Sequence, residues 1–271
     1  MILPHWGVGC CRLELLFAAA LSPRPLLVFV HGWLLSGRLW QPLLQELEPG
    51  WDCWAPDLPG FGERPRPRQL QPTLASYGRW LADQALARAA GRPLVVVGHS
   101  LGGSVALHAA PGLGNQLIGL VQIAAGGGVY QPRVFARVRQ AGAAFIQLRP
   151  RWLAELPALG AIRSPLVADR RSARGLLACS TNRGAVRQLP ALTAELQVPS
   201  LWLVGSADRV MEPRYVRHLA GYAADHEVEE LPGLGHLPMR QDPALVAATI
   251  SAWLLRQGAA EAWAPAGSMA A

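Results

Sequence analysis

The segment Val95-Val96-Val97-Gly98-His99-Ser100-Leu101-Gly102-Gly103 restricts what this chain can fold into more than any other. The three valines read as a buried strand, and the run from Leu101 to Ala110 reads as a helix. Strand must therefore turn into helix within a residue or two of Ser100. A turn that tight is strained and projects the serine hydroxyl clear of any sheet. Gly98 and Gly102 lack the side chains that would clash across it. The first N–H groups of the following helix have no partner within it, and they lie at the positive end of its dipole. A bare G-x-S-x-G carries little weight, because glycine and serine are common. Here the strand before it and the helix after it are both present.

The same alternation runs through most of the chain. Leu26–Val30, Trp51–Ala55, Leu94–Val97, Ile118–Ala124 and Leu201–Val204 are short apolar runs that fit strands buried on both faces. Leu39–Leu47, Leu74–Ala90 and Leu101–Ala110 read as helices between them. Val228–Leu231 adds a strand, a helix precedes it near Pro213–Ala223, and Pro243–Leu255 closes the chain as a helix. Repeated strand-then-helix order predicts an α/β fold with a doubly wound, mostly parallel sheet. Of the 271 residues, 51% are hydrophobic and 16% charged, enough apolar material for one sizeable core. The first 25 residues are hard to place, and a short antiparallel hairpin is one option.

Residues 126–190 break the alternation. They open on Gly126-Gly127-Gly128 and then read as helical pieces divided by Pro150, Pro157, Pro165 and Pro190. Val134, Val138, Ala141, Phe145 and Leu148 recur at spacings of three and four, an amphipathic pattern. Arg133, Arg137 and Gln140 fall on another face. The segment is expected to be a helical lid inserted into a core formed by 1–125 and 191–257, with 258–271 a flexible tail. Its charge sets it apart. It holds eleven arginines against Glu155 and Asp169, a surplus of nine, while the rest of the chain is net −2. There is no lysine anywhere, so codon composition accounts for the choice of arginine but not for its location.

A nucleophilic serine needs a base, and the base needs an acid to orient it. On an elbow of this kind the acid and then the histidine follow the serine in the chain. Asp208 follows the strand Leu201–Val204, and His236 follows the last strand in Leu234-Gly235-His236. Both sit in loops after strands, where ligand sites of open α/β sheets lie. Ala124–Gly128, the other place for an orienting acid, contains none. Two backbone N–H groups are candidates for an oxyanion hole: Leu101, behind the serine, and Trp33, in the loop His31-Gly32-Trp33. The Trp33 ring either lines the acyl pocket or is structural. His31 and His99 read as local hydrogen-bonding residues, His218 and His226 as surface positions, and Asp57 as the residue that holds its own turn. His108 lies about two helical turns from Ser100, too far to act on it.

His31-Gly32, Asp57-Leu58-Pro59-Gly60-Phe61-Gly62, Gly98-His99-Ser100-Leu101-Gly102-Gly103, Gly205-Ser206-Ala207-Asp208 and Gly235-His236 occur in the order found in the α/β-hydrolase superfamily, which this chain resembles over residues 25–257. The resemblance implies that fold and a Ser-Asp-His set. It leaves the substrate open among carboxylic esters, thioesters, C–C bonds, cofactor-free haloperoxidation and N-terminal proline peptides. Haloalkane dehalogenases and epoxide hydrolases carry Asp where this chain has Ser100 and are set aside. His31-Gly32-Trp33, Trp40 and the Pro-Gly-Phe-Gly-x-Arg run ending at Arg64 are also similar to the carrier-protein methyl ester esterases of biotin synthesis. Those enzymes use arginines of a helical cap to meet an acidic acyl carrier protein. The lid sequence departs from theirs in detail, as does the Gly126–Gly128 run.

The expected reaction is acyl transfer from an ester or thioester to water, with Ser100, His236 and Asp208 as the reacting set and no metal or organic cofactor. The expected partners are a small-molecule ester or thioester and, at Arg133 and Arg137, an acyl carrier protein or another acidic partner; nucleic acid is not expected. A ligand-binding protein on the same fold is the alternative outside enzymes. A lid resting on an anionic lipid surface ranks lower, because no large amphipathic face with several exposed aromatics is evident in the sequence. No apolar run reaches the roughly 18 to 20 residues that a spanning helix needs. Cys10, Cys11, Cys53 and Cys179 show neither metal-ligand spacing nor a disulfide framework. A cytoplasmic enzyme with reduced thiols is expected.

Overall fold

The computed structural model describes residues 24–125, 132–150, 152 and 163–258. The hairpin considered for the first 25 residues and the tail beyond Gly258 lie outside them. Among the described residues six strands form one sheet: β1 (Leu26–Val30), β2 (Asp52–Trp54), β3 (Leu94–His99), β4 (Leu117–Ile123), β5 (Ser200–Gly205) and β6 (His226–Leu231). Their spatial order is β2-β1-β3-β4-β5-β6, and every neighbouring pair is parallel. The helices are α1 (Gln41–Leu47), α2 (Leu74–Ala89), α3 (Leu101–Leu113), α4 (Pro132–Leu148), α5 (Arg163–Val167), α6 (Arg170–Ser180), α7 (Arg183–Ala194), α8 (Pro213–Ala220), α9 (Pro238–Gln241) and α10 (Pro243–Arg256).

Alternation along each strand divides the apolar side chains between two layers. Val28, Val96, Leu120 and Trp202 pack on the side of α2 and α3, against Tyr77, Leu81 and Val105. Leu27, Phe29, Val97 and Val121 pack on the other side, against Leu43 of α1 and Val246, Ile250 and Trp253 of α10. A parallel strand covered on both faces must be apolar along its length, and β1 is, as is β3 from Leu94 to Val97. The edge strand β6 is not. Glu227 and Glu230 on it pair with Arg256 and Arg217, and charges of this kind discourage pairing with another chain. Its first residues carry too little apolar signal for the sequence to mark, so the strand starts at His226 rather than at Val228.

Between β4 and β5 the chain leaves the sheet and forms α4 to α7. The described part of the apolar stripe read on α4, Ala141, Phe145 and Leu148, does not face the core. Gly142 and Ile146 are buried instead, while Ala141, Phe145 and Leu148 are exposed, Leu148 to 79%. The reason is local. A Cβ on Gly142 would lie 2.7 Å from the Leu177 side chain and 2.9 Å from the Trp33 ring, so the helix makes its closest approach on its smallest residue. The buried Arg149 guanidinium holds the same face down by donating to the Pro165 and Ala168 carbonyls. Trp152 beyond the helix is 66% exposed as well.

Asp169 joins this insertion to the core. It caps α6 through the Ser172 N–H, accepts from Arg66 Nε, and donates its own N–H to the Gly60 carbonyl at 2.6 Å. Tyr77 Oη lies 2.6 Å from the Pro59 carbonyl and 2.8 Å from Ser172 Oγ. Among the described residues no helix is long and apolar enough to cross a membrane, and Cys53 and Cys179 are unbridged.

Candidate active site

β3 runs into α3 through Ser100, whose φ of 53° and ψ of −118° lie outside the ordinary regions for an L-residue. Three glycines make room for it. A Cβ on Gly98 would stand 2.6 Å from the Gly103 Cα, one on Gly102 would overlap the Val30 carbonyl, and one on Gly103 would overlap the Gln122 side chain. Gly102→Ala should therefore prevent the turn from closing. The expected result is loss of soluble folded protein or a melting point lower by at least about 10 °C. An unchanged melting curve would show that the turn can relax.

His236 Nε2 lies 3.2 Å from Ser100 Oγ, and His236 Nδ1 lies 2.8 Å from Asp208 Oδ2. The other Asp208 oxygen accepts the Val210 and Met211 N–H groups, each at 2.8 Å. Burial would push the Asp208 carboxyl up. Its bonds to His236, Met211 and Val210 outweigh that and hold it below the usual carboxylate range. An ionised Asp208 accepts only, so the proton of neutral His236 resides on Nδ1. The Nε2 lone pair is then free to face the serine hydroxyl. The three residues come from three separate loops, and the structure brings them together.

The loop after β1 lies against the same turn. Gly32 packs so closely on His99 that a Cβ there would stand 2.8 Å from its Nδ1, and Gly102 touches the Val30 and His31 carbonyls. Among the described residues the Trp33 N–H has no hydrogen-bond partner, and Leu101 as the first residue of α3 has no carbonyl one turn below it within the helix. The Trp33 ring donates through Nε1 to the Ala173 carbonyl of α6 at 2.9 Å, so it has a definite structural task.

The remaining candidates occupy supporting positions. Leu58 N–H donates to His31 Nε2 at 2.9 Å, which places the His31 proton on Nδ1, 2.8 Å from the Gly32 carbonyl. Burial drives His31 down to about 4, against the opposing effects of that carbonyl and of Asp57. Asp57 holds its turn by accepting from Gly37 and Glu63 N–H at 2.7 and 2.8 Å. His218 and His226 are exposed. Arg137 is exposed on α4, whereas the Arg133 side chain lies outside the described residues. Trp40 is buried against Phe29, and Arg64 lies over the Trp80 ring.

One role escaped the sequence. His99 is fully buried, and its Nε2–H donates to the backbone carbonyl of His236 at 2.9 Å, with the two rings 4.9 Å apart. Burial, reinforced by the neighbouring His236, drives it down to about 3, so it remains uncharged beside His236. Position 99 beside the serine was the only signal, and it does not foretell a partner 137 residues away. A cavity of about 510 Å³ opens between core and insertion, lined by Leu35, Leu39, Ser164, Val167 and Leu237 among others. Among the described residues no cluster of His, Cys, Asp or Glu is arranged to hold a metal ion.

A sequence model of the Alpha/beta hydrolase family matches residues 27–249. A pimeloyl-[acyl-carrier protein] methyl ester esterase from Xanthomonas axonopodis pv. citri is 32% identical over 241 residues, covering 79% of this chain and 88% of its own length. An enzyme of the same name from Xylella fastidiosa (strain M12) is 29% identical over 246 residues, covering 79% and 89%. Among solved structures, a thermophilic esterase from Thermogutta terrifontis superposes with a TM-score of 0.70 at 24% identity, covering 88% of this chain and 92% of that one. At that identity the superposition speaks for the fold alone.

Proposed function

Since the chain belongs to the α/β-hydrolase family, we propose that it is a serine esterase that cleaves a carboxylic ester or thioester through an acyl-enzyme on Ser100. The observation that carries this reading is the hydrogen-bonded run from Ser100 Oγ through His236 to Asp208, with the imidazole in the accepting tautomer. His236 Nε2 takes the Ser100 proton as Oγ adds to the carbonyl carbon. The Leu101 and Trp33 N–H groups receive the negative charge that develops on the carbonyl oxygen. Asp208 stabilises the imidazolium, which returns the proton to the departing alcohol or thiol as its bond to carbon breaks. Water then repeats the sequence and releases the acid, with His236 as base and Ser100 restored as leaving group. A fluorophosphonate probe should label this protein rapidly and only at Ser100, with loss of ester hydrolysis in step. Labelling elsewhere, or hydrolysis that survives complete labelling, counts against the assignment.

The substrate side of the proposal is an acyl group carried by an acidic protein, with residues 126–190 as the lid that receives it. Relatives about 30% identical are named as esterases of a pimeloyl-[acyl-carrier protein] methyl ester, and this segment carries the chain's whole positive surplus. Arg133 and Arg137 are the docking candidates, since a guanidinium binds carboxylates and phosphates in pairs. Salt should weaken such an encounter. Between 50 and 500 mM salt, kcat/KM for a carrier-bound ester should fall by about tenfold or more, while a small neutral ester changes little. Arg137→Glu should penalise only the carrier-bound substrate. Equal salt responses for both substrates would remove the carrier from the proposal and leave the esterase.

The exposed Phe145, Leu148 and Trp152 favour a second reading, in which the basic insertion rests on an anionic lipid surface. Sedimentation with anionic but not neutral vesicles distinguishes it.

A further inference from the structure

The insertion grips the loop after β1 at two consecutive residues. The indole N–H of Trp33 donates to the Ala173 carbonyl of α6 at 2.9 Å. One residue on, the carbonyl of Leu34 accepts from Ser164 Oγ of α5 at 3.1 Å. The backbone between these grips is under strain. Leu34 has φ +61°, a left-handed conformation that a residue with a Cβ adopts reluctantly. The loop's own contribution is one backbone turn bond, Leu35 N–H to the Gly32 carbonyl at 3.2 Å, and the bond from His31 Nδ1–H to the same carbonyl at 2.8 Å. On its inner side Gly32 rests on His99, and on its outer side the Trp33 ring packs against Gly142 of α4. A strained loop whose internal bonds both end on the Gly32 carbonyl, leaving Trp33 and Leu34 unheld from within, takes its position there from what surrounds it. Here the surroundings are the core on one side and the insertion on the other.

The backbone N–H of Trp33 belongs to that loop. We propose that Ser164 and the indole N–H of Trp33 are positioning groups through which the insertion sets the oxyanion-binding amide of Trp33. The rate of acyl transfer then depends on how α5 and α6 are seated, even for an ester too small to touch the insertion. The inference rests on the reading of Ser100 as nucleophile and of Trp33 N–H as oxyanion donor.

The kinetic signature follows from where the amide acts. It meets full negative charge in the tetrahedral intermediate and only a neutral carbonyl in the bound ester. A displaced amide therefore lowers kcat with little change in KM. A side chain that merely filled the acyl pocket would raise KM. One that merely stabilised the fold would lower the melting point without changing kcat.

The test uses the full chain, p-nitrophenyl acetate as the small ester and a boronic acid as a reversible mimic of the tetrahedral intermediate. Trp33→Phe keeps a large ring and removes the indole donor. Ser164→Ala removes the hydroxyl, and Ser164→Thr restores one. The expected result is a kcat lower by about 5- to 20-fold in Trp33→Phe and by a few-fold in Ser164→Ala. KM should stay within about twofold, and boronate affinity should fall in proportion to kcat. Ser164→Thr should recover most of the loss. The Ser164 pair keeps the test decisive if Trp33→Phe folds poorly. Unchanged kcat in Ser164→Ala, or a rise in KM alone in either variant, overturns the inference. Ser100→Ala separates the two levels. If it is inactive while Trp33→Phe and Ser164→Ala keep full kcat, the inference alone falls. If Ser100→Ala turns over normally, the underlying reading and the inference fall together.

Discussion

Ser100→Ala should lower kcat for a short p-nitrophenyl ester by about 10⁴-fold or more, and His236→Ala by a similar factor. Both variants should keep the wild-type melting point within a few degrees. Ser100 already occupies a strained backbone position imposed by Gly98, Gly102 and Gly103, and alanine meets the same backbone limits there. Combining the two substitutions should cost little beyond either alone, because the serine and its base act as one unit. Asp208→Asn should cost about 10⁴-fold, since an amide at this position can donate to Nδ1 and move the imidazole proton to Nε2, toward the serine. The Val210 and Met211 N–H groups fix the Asp208 side chain by bonding its other oxygen. Steady-state rates with the three single variants and one double variant decide the matter. Normal turnover in Asp208→Asn would return Asp57 to consideration. Against that, both Asp57 oxygens already bind backbone N–H groups of their own turn.

Acid should destabilise the fold well before any carboxylate is protonated. His31 and His99 are buried and uncharged, with values driven down to about 4 and about 3 from an ordinary 6.5, in both cases chiefly by burial. Between those values and 6.5 the unfolded chain binds protons that the folded chain does not, so unfolding becomes easier as pH falls. Each histidine contributes about 1.4 kcal/mol per pH unit below its ordinary value. Together they should remove about 4 kcal/mol of stability between pH 7 and pH 5, a large share of the 5–15 kcal/mol typical of a folded domain. His108, also lowered by burial, acts in the same direction. Asp208 has the opposite shift. Its contribution is present above the ordinary carboxylate value and is lost only as pH falls through its depressed folded value, at the acid end of the range. Urea midpoints at pH 7, 6 and 5 check this. Constant stability over that range would mean that His31 and His99 are protonated in the folded state, contrary to their burial.

The parts of this molecule legible in its sequence are those fixed by backbone sterics and by burial on two sides. Strands covered on both faces announce themselves as unbroken apolar runs, and the elbow at Ser100 announces itself through glycines that no other residue can replace. Asp208 and His236 were legible because chain order and the ends of strands narrow the choice to a few positions. The insertion was not legible in the same way. Periodicity marks α4 as amphipathic, but which face turns inward depends on the surface it meets. That surface includes the Trp33 ring and Leu177, which meet Gly142, and Ile146 one turn on is buried while Phe145 and Leu148 are exposed. The bonds from His99 to His236, Trp33 to Ala173 and Ser164 to Leu34 join residues far apart in the chain through backbone carbonyls. Carbonyls are common to every residue and leave no mark in a sequence.

The crossover from β4 to β5 has a consequence for how such a protein can diversify. The chain spends residues 124–199 between two strands that lie side by side. Loop-closure entropy grows only with the logarithm of length, so tripling a crossover adds about 1 kcal/mol to the cost of pairing those strands. As far as closure is concerned, length can be added or removed there at little expense to the pairing of the two strands. The turn from β3 to α3 tolerates no added atom at three of its positions. Evolution therefore has one permissive and one forbidding place within the same half of the fold. Length can vary at the first while the glycines of the second keep the turn at Ser100 closed. The constraint nearest the serine is the pair of hydrogen bonds from the insertion to Trp33 and Leu34. Any replacement segment must reproduce them or leave the loop beside the serine without its outer support.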